Sequence, residues 1–260
     1  MVAFSDMSAE DKQTVLEHLG ELRKSILISV AATFIAAMGC FYFNEFFLQV
    51  VTYPVRSIGQ TLIVTGVTEA FFVKLQLSFL AGFVIAFPIV SWAVWRFVKP
   101  ALYAHERRLI YILFPATIFL FAGGVIFAYF VVLPLVLKFM VYIAGENLET
   151  LFKVDQYVSF VMAFIIPFGL TFELPIVTFF LTKLGVIKPQ MLSRNRKYAI
   201  LIIVILGGVL SPGPDPISQV LMAGPVYILY EASILVAKYT KPRSQNEEEP
   251  EDGSEDASKA

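Results

Sequence analysis

The sequence is poor in charge. Only 16% of its 260 residues are Asp, Glu, Lys or Arg, whereas about a quarter of an average soluble domain is charged. Cys40 is the one cysteine, so no disulfide can form within the chain, and we expect no thiol-ligated metal site. The apolar residues reach 57%, with a mean hydropathy of +0.73. This composition predicts an all-α integral membrane protein.

Enzyme motifs are also missing. The sequence contains no P-loop, no GxSxG and no GxGxxG after a strand pattern. His105-Glu106 has no second histidine at the spacing of a zinc hydrolase. An intramembrane aspartyl protease would need two buried aspartates, but the apolar segments contain none, and Asp215 lies in a turn between two of them. We therefore predict no enzymatic activity, no metal, no cofactor and no nucleic-acid partner.

Six apolar segments follow an acidic N-terminal region that has no cleavable signal pattern. A segment of about 20 apolar residues is enough to span a bilayer core as a helix. The predicted spans are Ile26–Phe43, Phe71–Phe97, Leu109–Leu137, Tyr157–Thr182, Tyr198–Leu210 and Ile217–Ala237. Residues 1–24 are expected to form an amphipathic cytoplasmic region, residues 25–238 the six-helix membrane domain, and residues 239–260 a disordered acidic cytoplasmic tail.

The basic residues predict the orientation of these spans. Sixteen of the twenty Lys and Arg lie in the two terminal regions and in two loops, Arg96–Arg108 and Lys183–Lys197. Basic loops face the cytoplasm, so both termini and these two loops are predicted to be cytoplasmic. The outer loops, Asn44–Ala70 and Lys138–Gln156, are expected to form an ordered cap.

The last two spans are unusual. Tyr198–Leu210 would be only about 20 Å long as a helix, which is shorter than a hydrocarbon core. The turn Ser211–Asp215 follows it, and Gly224-Pro225 interrupts the next span. The pair is either re-entrant, or it crosses and thins the bilayer locally. Crossing is favoured because both flanking regions are basic.

Glu173 is the acid set deepest in an apolar segment, inside Tyr157–Thr182. A charged carboxyl group in the middle of a span costs about 3 kcal/mol or more, so it should face protein or a wet cavity. Pro167 and Pro175 flank it and each removes a helical N–H, and Gly169 is expected to leave room beside the carboxyl group. The alternative is a structural role, with Glu173 hydrogen-bonded to a neighbouring helix.

Two acids lie among basic residues at the predicted cytoplasmic surface, Glu21 and Glu106. They either form exposed local ion pairs, which contribute little, or together bind a peptide that carries guanidinium groups. The planar guanidinium binds carboxylates through two parallel hydrogen bonds, which suits such a receptor. Spacing alone favours the local ion pairs.

Several blocks of the sequence resemble the TatC family, the multi-span subunit of the twin-arginine protein translocase. The resemblance runs from about residue 14 to 240. The matching blocks are HLGELR (His18–Arg23), FVKPALYAHERR (Phe97–Arg108), FAYFVVLPL (Phe127–Leu135), SFVMAF…FGLTFELP (Ser159–Pro175) and SPGPD…SQ (Ser211–Gln219). Together these blocks are highly specific.

The resemblance implies a glove-shaped receptor with six transmembrane helices in the bacterial cytoplasmic (inner) membrane. It would bind twin-arginine signal peptides of folded cargo proteins and nucleate a translocation complex driven by the proton-motive force. Its implied partners are the single-span subunits TatA and TatB, membrane lipids, and further copies of itself within the receptor complex.

The resemblance also implies roles for particular residues. Glu21 and Glu106 match the acids that bind the arginine pair, and Arg23 would organise that patch. Glu173 matches the buried acid of the concave face. Asp215 and Gln219 match polar positions where a partner helix docks, although the usual Pro-Pro-Asp turn appears here with one residue added, as Pro212-Gly-Pro-Asp215.

Two other functions are compatible with this composition. A proton-coupled secondary transporter would use Glu173 to carry the proton, but such folds often show internal repeats, and we find none in the sequence. A purely structural membrane scaffold would tolerate charge reversal at both Glu21 and Glu106.

Overall fold

In a computed structural model, the described residues are 9–101, 107–145, 151–210 and 216–240. They form ten α-helices and two very short strands. The elements are α1 (Ala9–Tyr42), α2 (Asn44–Ser57), β1 (Leu62–Ile63), α3 (Glu69–Val98), α4 (Arg107–Phe127), α5 (Leu133–Ala144), β2 (Phe152–Lys153), α6 (Val154–Thr171), α7 (Leu174–Lys183), α8 (Pro189–Arg194), α9 (Arg196–Leu210) and α10 (Pro216–Tyr239). A 3₁₀ turn, Lys99–Ala101, ends α3, and a π turn, Ala128–Val132, joins α4 to α5.

Five helical stretches of the described residues are long and apolar enough to cross a bilayer. They are His18–Tyr42, Glu69–Val98, Arg108–Ile143, Val154–Lys183 and Gln219–Tyr239. The prediction of an all-α, multi-pass membrane protein is therefore confirmed. The fifth predicted span, Tyr198–Leu210, corresponds to α9, which has 15 residues and would be only about 22 Å long, so the count of six stays a prediction.

The predicted amphipathic N-terminal helix and the first span form one continuous helix, α1. It packs along α3, and a glycine sets how closely the two helices approach. A Cβ atom added to Gly82 of α3 would lie 2.5 Å from the backbone nitrogen of Ala37 in α1. Small residues at helix crossings allow this kind of backbone contact in membrane proteins.

Gly82→Ala is therefore expected to destabilise the protein by about 1–3 kcal/mol, because the added methyl group would push α1 away from α3. Thermal unfolding of the purified protein in detergent measures this. Gly39→Ala is the matched control, because a Cβ atom at Gly39 meets nothing within 4 Å and alanine is the better helix former. Equal unfolding temperatures for the two variants would contradict the close approach.

The main hydrophobic core lies where α3, the α4–α5 unit and α6 meet under α2. The π turn between α4 and α5 has an identifiable cause. Pro134 has no N–H to donate to the carbonyl of Phe130, and such a gap locally widens a helix. The turn carries Tyr129, whose hydroxyl donates to the Val50 carbonyl of α2 at 2.6 Å.

The described parts of the two predicted outer loops pair with each other; residues 146–150 of the predicted cap lie outside the described residues. β1 and β2 form a parallel pair, with Leu62 opposite Phe152. The Glu69 carboxylate at the start of α3 accepts hydrogen bonds from the Thr65 and Gly66 backbone N–H groups at 2.6 and 2.8 Å, and from the backbone N–H of Asp155 at 3.4 Å. One carboxylate therefore connects the first outer loop to the beginning of α6.

Candidate functional sites

Glu173 lies at a break in the predicted fourth span, between α6 and α7. The break has a local cause, because Pro175 lies in the first turn of α7 and cannot donate to the carbonyl of Thr171. The residue before α7 is Glu173, and its carbonyl accepts the first helical hydrogen bond, from Val177 N–H at 2.9 Å. The carboxyl group thus projects from a helix break inside the apolar layer.

The surroundings of the Glu173 carboxyl group are mostly protein. Its Oε1 atom is buried and accepts no hydrogen bond from the described residues. The carboxyl group lies beside the Thr117 side chain and the Phe121 backbone of α4. The Thr117 hydroxyl accepts a hydrogen bond from Trp95 Nε1 of α3 at 3.2 Å. Glu173 therefore belongs to a polar group that connects α3, α4 and the α6–α7 break.

The expectation that Gly169 leaves room beside Glu173 is wrong. A Cβ atom added to Gly169 would lie 2.6 Å from the Phe121 ring, so the ring fills this space. A Cβ atom added to Gly124 of α4 would lie 2.8 Å from the Phe168 carbonyl oxygen. The physical reason is that the two glycines let α4 and α6 approach closely, and the space serves helix packing.

A second candidate site lies where the N-terminal part of α1 meets the end of α3. The His18 ring stacks on the Phe97 ring, with centroids 4.3 Å apart and an interplanar angle of 19°. His18 Nδ1 lies 3.7 Å from a carboxylate oxygen of Glu21, whose side chain is 55% exposed. The local partner of Glu21 is thus His18. This contact could have been predicted from the sequence, because His18 and Glu21 are three positions apart and such residues are neighbours on a helix.

Glu106 lies outside the described residues, so its distance from Glu21 stays a prediction. Arg23 is exposed. It is two positions after Glu21 in α1, and residues at this spacing do not face each other on a helix. The role of Arg23 in organising the acidic patch also stays a prediction.

The third candidate site is the hairpin of α9 and α10. Gln219 Nε2 donates to the Val204 carbonyl of α9 at 2.7 Å. A Cβ atom added to Gly208 would lie 3.0 Å from the same amide nitrogen, so the glycine makes room for the Gln219 side chain. Gln219 connects the two helices, and Asp215 lies outside the described residues.

The sequence analysis missed one acid with well-defined partners, Glu231 of α10. Its carboxylate pairs with Arg196 at the start of α9 at 2.8 Å and accepts a hydrogen bond from Tyr227 at 2.9 Å. Tyr227 and Glu231 are four positions apart, so they share a helix face, and this spacing was readable in the sequence. Across the described ranges, no three His, Cys, Asp or Glu side chains cluster to hold a metal ion.

Comparisons with known proteins agree on one family. The family model described as Sec-independent protein translocase protein (TatC) matches residues 17–225. The chain is 43% identical over 235 residues to the TatC protein of Carboxydothermus hydrogenoformans, covering 90% of this chain and 97% of that protein. It is 35% identical over 246 residues to the TatC protein of Escherichia coli (strain K12), covering 94% and 95% of the two chains.

A solved structure is similar over most of the chain. It is described as the crystal structure of the twin arginine translocase receptor TatC. Its TM-score is 0.79 at 40% sequence identity, and the match covers 85% of this chain and 98% of that one. Sequence and fold therefore agree over nearly the whole length of these relatives. This chain belongs to the TatC family of Sec-independent protein translocase proteins, and it is a multi-pass, non-enzymatic component of protein transport.

Proposed function

We propose that this chain binds the twin-arginine signal peptides of folded cargo proteins at the cytoplasmic face. In this proposal, the carboxylates of Glu21 and Glu106 bind the guanidinium groups of the arginine pair. A signal peptide bound there nucleates the translocation complex with TatA and TatB, and the proton-motive force drives transport.

The observation that carries this proposal is the stack of His18 on Phe97. It supports the pairing of the two acids because it joins the segment of α1 that contains Glu21 to the end of α3. The chain continues from α3 through Lys99–Ala101, and α4 begins at Arg107, the residue after Glu106. The sequence thus leaves only residues 102–106 between two described elements. One short peptide reaching both acids is consistent with this arrangement.

The chemistry of the acids favours arginine over lysine. A guanidinium group donates two parallel hydrogen bonds to one carboxylate, whereas an ammonium group acts as a point charge. The exposed carboxylate of Glu21 lies at the end of a predicted span, where the apolar part of a signal peptide enters the bilayer. A peptide with two adjacent arginines before an apolar segment matches both features.

The remaining parts of the chain have proposed roles as well. Asp215 and Gln219, beside the last turn, are proposed to dock the helix of a single-span partner, and an exposed apolar face of α9 supports this. Leu201, Ile202 and Ile205 on that face are all exposed. The chain is proposed to lie in a bacterial inner membrane, with residues 1–24 and 239–260 in the cytoplasm. Several copies of the chain are proposed to share one receptor complex.

Site-specific photo-cross-linking of a twin-arginine peptide tests the proposed function. A photoreactive residue is placed at Leu22 or Arg108, next to the two acids, and at Tyr142 as a control near the other end of the helices. Tyr142 is 83% exposed, so accessibility alone does not favour the first two positions. We expect cross-links from positions 22 and 108 that weaken with a twin-lysine peptide. Equal cross-linking from position 142 would refute the proposed site.

A further inference from the structure

We infer that His18 is a positioning residue for the signal-peptide site, acting through its ring stack on Phe97. This inference rests on the proposed function. The stack holds the start of the membrane-crossing part of α1 against the end of α3, so that the Glu21 carboxylate stays beside the end of α3. His18 itself does not bind the arginine pair.

The first argument is geometric. The two rings are 79 positions apart in the sequence, and their centroids are 4.3 Å apart at an interplanar angle of 19°. A histidine side chain that is 48% exposed would have many rotamers if it had no neighbour. Stacking selects one of them, because the imidazole has a flat face to place on the phenyl ring.

The second argument is that the same imidazole also contacts the acid. His18 Nδ1 is 3.7 Å from Glu21 Oε2, one helical turn away on α1. With its ring fixed on Phe97, His18 restricts the movement of the carboxylate, which stays 55% exposed and accessible to a guanidinium group. Prepositioning of this kind lowers the entropic cost of binding, so a receptor gains affinity without a new contact to the peptide.

The third argument is that α1 needs such a contact at this end. The close approach of the two helices at Gly82 and Ala37 lies deep in the span, nineteen positions from His18 in the sequence. Without the stack, apolar packing alone would hold this part of α1 against α3 among the described residues. The His18–Phe97 stack is a specific contact at the level where Glu21 must be held.

The test measures binding of a fluorescent twin-arginine peptide, and of a twin-lysine peptide, to the full chain in detergent. Stacked ring pairs contribute about 0.5–1.5 kcal/mol beyond burial, which corresponds to about a 2- to 13-fold change in affinity. We expect His18→Ala to weaken twin-arginine binding by about that factor and to lower the ratio of twin-arginine to twin-lysine affinity. His18→Phe should restore most of the affinity, because it keeps the stack.

A double-mutant cycle separates positioning from general destabilisation. His18→Ala and Phe97→Leu together should weaken binding no more than either change alone, because both remove the same contact. Leu19→Ala, on the same turn and 50% exposed, is the control and should leave the affinity unchanged. Fully additive losses, an unchanged affinity ratio in His18→Ala, or no rescue by His18→Phe would each overturn the inference.

Glu21→Gln, measured in the same assay, distinguishes this inference from the proposed function. If Glu21→Gln weakens binding and His18→Ala does not, then only the positioning role of His18 is wrong. If Glu21→Gln binds the peptide as tightly as the unmodified chain, then the proposed function itself is wrong.

Discussion

Glu21→Lys and Glu106→Lys are each expected to abolish specific binding of a twin-arginine peptide, with a loss of affinity of at least about 100-fold. Removing one partner of a hydrogen-bonded charge pair in an interface costs about 2–5 kcal/mol, and 2.8 kcal/mol corresponds to 100-fold. The lysine adds repulsion toward the guanidinium group to this loss. The measurement is a binding titration with the fluorescent peptide in detergent, with a twin-lysine peptide to define the non-specific background.

Glu45→Lys is the matched control for these charge reversals. Glu45 is also an exposed acid, and it pairs with Lys74 at 2.8 Å. It lies near the start of α2, at the opposite end of α1 from Glu21, and carries the same change of two charge units. We expect the Glu45→Lys variant to bind the peptide normally. Similar losses of affinity in all three variants would indicate a general effect of net charge. Unchanged binding in both Glu21→Lys and Glu106→Lys would refute the proposed binding site.

The apolar segments were readable from the sequence because a lipid-facing helix must be apolar along nearly its whole length. Five of the predicted spans correspond to long apolar helices. The helix break before Pro175 also has a local cause, the missing proline N–H. What the sequence predicted well were therefore features that depend on a short stretch of chain.

Contacts between distant segments were less predictable. The stack of His18 on Phe97 leaves no periodic signal in either helix, because each ring alone looks like one more membrane-interface residue. Gly169 was interpreted as open space, yet Phe121 fills it. A glycine in a helix indicates that something can approach closely, and the sequence does not say whether that is water, a peptide or an aromatic ring.

Contacts of the acids Glu173 and Glu231 with distant segments were also hard to predict from the sequence. Glu173 stood out because it is deep in an apolar segment, and the structure adds its neighbours, Thr117 and Phe121. Glu231 did not stand out, although it lies in α10 and pairs with Arg196. Its partner is 35 positions away, beyond the reach of any helical spacing rule. Single acids in spans can be found from sequence, but their partners come from the fold.

Glu173→Ala is expected to lower the rate of cargo transport by about tenfold, while binding of the twin-arginine peptide survives. A tenfold loss corresponds to about 1.4 kcal/mol. In Glu173→Ala, the Thr117 side chain loses the carboxyl group beside it. The energy of about 1.4 kcal/mol is within the usual cost of leaving a buried polar group without its partner. Peptide binding should survive because the acids proposed to bind arginine lie elsewhere, on α1 and before α4. Transport into inverted membrane vesicles and the peptide titration measure the two quantities separately.

Glu173→Gln decides whether Glu173 has a structural role or carries a proton during transport. Glutamine has nearly the shape of glutamate and can still hydrogen-bond to Thr117, but it cannot carry a proton at neutral pH. If Glu173 holds the α6–α7 break against α4, Glu173→Gln should restore most of the cargo transport lost in Glu173→Ala. If Glu173 carries a proton, the two variants should be equally inactive. Full transport by Glu173→Ala would contradict both roles, because transport would then need no carboxyl group at the α6–α7 break.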